Sequence, residues 1–226
     1  MGAVTVRKLA ASFLLGIAAL AGTPAAAATL VGSVPGAPDP GASGALTLDF
    51  EGALPAGIVF AAGSTYQILQ GFQPKQGYAP AGDLTRYLSV PGGGVAGSAT
   101  LDFTDYVGAA LGDFSFYWGS IDRANELIVE TSAGVLSVLG SDLITRGYGS
   151  ETSATGNRRV AVALAAGETL RRLTFSSPTS FELDDIVFQQ AAGGAVPEPA
   201  TWMTMIAGLG LVGAMLRRRA RRGAAA

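Results

Sequence analysis

Two short acidic segments carry the ligand chemistry this chain could offer. One reads Leu48-Asp49-Phe50-Glu51 and the other Glu182-Leu183-Asp184-Asp185. Calcium takes roughly six to eight oxygen ligands, many of them carboxylates. Asp49, Glu51, Asp184 and Asp185 could therefore hold a structural Ca²⁺, provided the first and last strands of the fold lie side by side. The other arrangement leaves Asp49, Glu51, Glu182 and Asp184 in solvent at strand edges. Asp185 shares strand parity with Leu183 and Val187. That parity predicts an inward side chain in need of a partner, which Arg171 or Arg172 could supply.

A second constellation is aromatic. Phe114-Ser115-Phe116-Tyr117-Trp118 is the densest ring cluster of the chain. Flat rings such as Tyr117 and Trp118 could stack on the faces of sugars. The period-two alternation points elsewhere: Phe114, Phe116 and Trp118 on a buried face, with Tyr117 tipped outward. Asp83, Asp102, Asp105, Asp113 and Asp122 are scattered. Glycoside hydrolysis needs two carboxyl groups at a set separation across a cleft, and no pair stands out.

The chain has no histidine and no cysteine. This excludes Ser-His-Asp and Cys-His catalysis and most zinc sites. Gly92-Gly93-Gly94 follows Pro91 and precedes a strand, so it reads as a loop and not as a phosphate cradle. No catalytic residue is assigned, and no cofactor is indicated beyond the structural Ca²⁺.

The elements that must position these residues are short strands. Candidates are residues 46–51, 58–61, 65–69, 87–90, 99–103, 113–118, 127–131, 135–139, 159–164, 170–176 and 181–188. Several alternate at period two, as in Leu46, Leu48, Phe50 and in Val160, Val162, Leu164. Gly134 sits in a small-residue turn between 127–131 and 135–139, which predicts a hairpin. No long stretch has helical period. The pattern predicts an all-β fold, a single β-sandwich or jelly-roll domain over residues 46–190. Residues 29–45 and 191–196, rich in Gly, Ala and Pro, read as linkers.

Both ends of the chain are addresses. Arg7 and Lys8 precede an apolar run over residues 9–21, followed by Ala25-Ala26-Ala27-Ala28. That is the order of a secretory signal peptide, with cleavage expected after Ala28. At the other end stand Pro197-Glu198-Pro199, an uncharged stretch over residues 200–216, and Arg217, Arg218, Arg219, Arg221 and Arg222. A membrane span needs about 20 apolar residues, with a lower limit near 17. The 200–216 stretch is therefore a transmembrane helix of marginal length. The arginines are a stop-transfer signal that stays in the cytoplasm. Without the two basic clusters and Glu198, 8 basic and 16 acidic residues remain, so the exported part is near −8 although the whole chain is −2. An acidic surface argues against nucleic acid as a partner.

The triplet Pro197, Glu198 and Pro199, followed by a short apolar helix and an arginine cluster, resembles the PEP-CTERM sorting signal of Gram-negative bacteria. The resemblance implies an exosortase-type membrane protease as partner. It also implies an intermediate held in the inner membrane by the C-terminal helix, and delivery to the cell surface or extracellular matrix. The acidic first and last strands resemble those of jelly-roll carbohydrate-binding modules. The function expected is a non-enzymatic exported protein associated with extracellular polysaccharide. The alternatives are an enzyme acting on exopolysaccharide, or a permanently anchored single-pass protein.

Overall fold

The structure, a computed structural model, describes residues 27–38, 44–93, 95–145 and 151–191. The signal-peptide run, the sorting triplet, the 200–216 helix and the tail arginines lie outside the described residues. Among the described residues no helix is long and apolar enough to cross a membrane.

Among the described residues, twelve strands and one helical turn follow in chain order. They are β1 (Thr29–Pro35), β2 (Leu46–Leu48), β3 (Val59–Phe60), β4 (Gln67–Gln70), β5 (Arg86–Val90), β6 (Gly97–Asp102), β7 (Leu111–Trp118), β8 (Glu126–Thr131), β9 (Val135–Leu139), α1 (Gly140–Leu143), β10 (Arg158–Ala163), β11 (Leu170–Ser177) and β12 (Phe181–Gln190). The larger sheet runs β1-β10-β7-β12-β5-β4, with β2 also paired to β12, and the smaller runs β3-β6-β11-β8-β9. All pairings between named strands are antiparallel. The fold is all-β, as the alternating pattern predicts, and the β8–β9 hairpin forms where Gly134 marks it.

Alternation builds the core. Phe114, Phe116 and Trp118 of β7 turn one way, and Val160 and Val162 of β10 join them. From the smaller sheet come Leu127 and Val129 of β8 and Leu173 and Phe175 of β11. The two sheets meet where Phe175 packs edge-on against Phe116 at 5.9 Å and Phe181 at 5.3 Å between ring centroids. Phe181 stacks flat on Trp118 at 4.2 Å. Each such side chain withdrawn from water contributes about 1.5–3 kcal/mol.

One expected linker is a strand. Residues 29–35 form β1, paired to β10 from Thr29↔Ala163 to Pro35↔Arg158. Gly32 and Pro35 disguise it, because both weaken a strand reading. An edge strand tolerates proline, and a bulge between Leu30 and Gly32 absorbs the glycine. Two arginines hold the segment down. Arg158 donates to Ser33 Oγ at 2.7 Å and Ser33 O at 3.1 Å, and Arg159 donates to Ala37 O at 3.1 Å. β2 does lie beside β12, pairing Leu48 with Ile186, so the acidic segments are neighbours as expected.

Candidate functional site: a buried polar layer on the larger sheet

Along β12, Phe181 and Leu183 enter the core between the sheets, so Glu182 and Asp184 project from the opposite face. That face is not open to solvent. Glu182 is 2 % exposed and Asp184 1 %. The register sets Glu182 opposite Ser89, Asp184 opposite Tyr117, and Tyr117 opposite Arg159. Tyr87 stands beside Ser89 on the same face of β5. The result is a layer of carboxylates, hydroxyls and one guanidinium, roofed by the chain between β4 and β5.

Three hydroxyls fasten the roof. Tyr87 donates to Gly71 O at 2.9 Å, Ser89 to Gln76 O at 2.9 Å and Tyr117 to Ala81 O at 2.7 Å. Asn157 accepts from the Ala81 N–H at 2.8 Å. The contact is close: a Cβ on Gly77 would lie 2.9 Å from Ser89 Oγ and 3.0 Å from Glu182 Oε1, so those side chains would have to shift to admit one.

Burial controls the charge of the layer. Desolvation pushes Glu182 up to about 8, against bonds from Ser180 and the Tyr78 backbone that pull it down. Asp184 rises to about 9, through desolvation first and then the neighbouring Asp83 carboxylate. Burial and Asp83 also raise the Tyr117 phenol. Thr85 Oγ1 lies 2.5 Å from Asp83 Oδ1 and 2.9 Å from Asp184 Oδ2. A hydroxyl has one proton to give. Both contacts are satisfied together when Asp184 carries its own proton, in keeping with its raised value.

The sequence-predicted ligands separate. Glu51 accepts the Arg86 N–H at 2.5 Å, and Asp49 caps its own turn by accepting the Glu51 N–H at 3.1 Å. Asp184 instead meets Thr85 and Asp83. Asp185 does not point inward: a register shift between Asp184 and Val187 and a φ of 50° turn it off the strand pattern. It lies 4.0 Å from Arg159, while Arg172 pairs with Asp102 at 2.9 Å and Glu130 at 3.4 Å. Among the described residues no group of three or more acidic, histidine or cysteine side chains is placed to hold a metal ion. The Asp49, Glu51, Asp184 and Asp185 calcium set is therefore not assembled.

Neither ring singled out for sugar stacking is available. Trp118 is fully buried on Phe181, and Tyr117, although on the outer face, is 1 % exposed beneath the roof. Alternation gave the face of Tyr117 correctly, but not the loop that covers it. Asp83, in the sequence one of five scattered carboxylates, takes a place in the layer that the spacing alone did not assign. The signal was present in Asp83-Leu84-Thr85, where Asp83 Oδ1 accepts from both the N–H and the hydroxyl of Thr85.

A pocket of about 230 Å³ opens beside the layer, lined by Gln73, Tyr78, Ser120, Glu151, Ser180 and Glu182 among others. A larger one, about 440 Å³, lies at the far end of the fold between Phe103, Tyr106, Leu111 and Leu170.

Outside the described residues, the family model described as the PEP-CTERM protein-sorting motif matches residues 195–220. The match takes in Pro197, Glu198, Pro199 and the first arginines of the basic cluster. The chain thus carries a PEP-CTERM sorting motif at residues 195–220. No curated protein matches the chain. One solved structure, an arabinose-bound α-L-arabinofuranosidase, is similar at 16 % identity and a TM-score of 0.27. The likeness covers 71 % of this chain and only 32 % of that one. It is too slight to carry a fold or an activity across.

Proposed function

We propose that this is a non-enzymatic surface or extracellular-matrix protein, released or displayed after processing by an exosortase-type membrane protease and associated with extracellular polysaccharide. Residues 200–216 hold the intermediate in the inner membrane, and the β domain is the exported cargo. The observation that carries the reading is the sorting-motif match at residues 195–220, with the export signal at the other end in matching topology. The polar layer supports a structural role for the domain. Its hydroxyls are used to hold a loop, and its carboxyls are covered. Replacing Pro197, Glu198 and Pro199 together by alanine should leave a full-length chain in the inner-membrane fraction. Processing of that variant at the wild-type rate would defeat the sorting role.

One observation favours a second reading, an enzyme acting on exopolysaccharide. Glu182, held protonated near neutrality, and Glu151 line the same pocket, and a protonated carboxyl is what general-acid cleavage of a glycosidic bond uses. The test is release of reducing ends from the producing strain's own exopolysaccharide. Release that disappears in Glu182→Gln would favour the enzyme. No release from either protein favours the binding role.

A further inference from the structure

Glu168 is a buried carboxylate that the polar layer does not use. It sits before β11 and is 5 % exposed. Three donors converge on it. Oε1 accepts the Ala28 N–H at 3.1 Å and, at shorter range, the Thr131 hydroxyl, while Oε2 accepts the Ala165 N–H at 2.7 Å. All three donors are neutral, and no ion pair among the described residues includes Glu168. A carboxylate held out of water without a counter-charge is costly. Ala28 is itself 5 % exposed and belongs to the core cluster. Directly before it, Ala25 and Ala27 are small residues spaced as signal peptidase requires.

We propose that the leader is removed at the Ala27–Ala28 bond, and that the α-ammonium group of Ala28 is the counter-ion of Glu168. Hydrolysis breaks the bond between the Ala27 carbonyl carbon and the Ala28 nitrogen. The hydroxyl of water goes to the carbonyl, its hydrogen goes to the nitrogen, and the new amine takes a further proton from solvent. The nitrogen already lies at hydrogen-bond distance from Glu168 Oε1, so the chain need not move. Processing then does two things: it frees the domain from its leader and creates the charge that completes a buried site. The site is one bond upstream of the Ala28–Thr29 bond that the alanine run suggests. Cleavage there would strip away a buried side chain and begin the protein at Thr29, which is exposed. The inference rests on the export reading.

The mature protein recovered from exporting cells provides the test, by N-terminal sequencing and by acylation with an amine-reactive reagent at pH 7. With the leader gone, Lys75 is the sole lysine, and it is exposed. An ordinary α-amine, with a pKa near 8, reacts ahead of a lysine at this pH. The expected N-terminus is Ala28, and its α-amine should react at least about tenfold more slowly in the folded protein than in denaturant, while the exposed Lys75 reacts at a similar rate in both. Glu168→Gln should return the folded α-amine toward its denatured rate. If the variant does not accumulate, the wild-type ratio of folded to denatured rates decides. An N-terminus at Thr29, or an α-amine equally reactive folded and denatured, overturns the proposal but leaves export standing. A retained Met1 overturns both.

Discussion

Thr85 Oγ1 lies 2.9 Å from Asp184 Oδ2, joining a side chain of the roof to the middle of β12 across 99 positions of sequence. The contact places a carboxyl where burial and Asp83 keep it protonated. It links the loop's position to the protonation of the sheet beneath it.

Stability should therefore fall on the alkaline side. Glu182 and Asp184 have folded values raised to about 8 and about 9, above an ordinary carboxyl near 4. The folded chain holds protons that the unfolded chain has released. Stability from this source is complete below about pH 4 and is lost as pH rises through 8 to 9. Asp102, lowered by its bonds from Thr104 and Arg172, acts in the opposite sense and loses its contribution in acid. Thermal melts from pH 3 to 10 should show a mildly acidic optimum. Asp184→Asn should flatten the alkaline decline and raise stability at pH 9 by about 1 kcal/mol.

Tyr117→Phe keeps the ring and removes the bond to Ala81 O. A part-buried acceptor left alone costs up to about 1–3 kcal/mol. Because the bond anchors the roof, trypsin should cut after Lys75 faster in this variant than in the parent, as limited proteolysis followed by mass spectrometry would report.

Gly77→Ala should also loosen the roof. Its Cβ would press on Ser89 Oγ and Glu182 Oε1. The expected cost is about 1–3 kcal/mol in urea unfolding, the range for overpacking.

Phe175→Ala removes the ring that joins the sheets. A loss of about 3–5 kcal/mol is expected in the same measurement. Val135→Ala, at a side chain 65 % exposed, should change stability by no more than about 0.5 kcal/mol.

The strands were legible because half of each faces one core. The predicted strand at residues 159–164 and the observed Arg158–Ala163 differ by one residue at each end, and Val135–Leu139 agrees throughout. β1 was hidden by Gly32 and Pro35, whose local preferences an edge position overrides. The side on which Glu182 and Tyr117 stand follows from parity, yet their burial does not. It depends on residues 71–85, whose docking is fixed by contacts far apart in sequence. Asp185 escaped parity because a register shift breaks the period that parity assumes.

On the proposed function, the C-terminal segment is a removable address. The most direct measurement is the intact mass of the mature protein, with its C-terminus sequenced, taken from the surface or medium fraction of cells making it. The expected chain ends near Pro197-Glu198-Pro199 and lacks Arg217, Arg218, Arg219, Arg221 and Arg222. A mature protein that keeps this arginine end and stays in the inner membrane would contradict the account and leave a permanent anchor in its place.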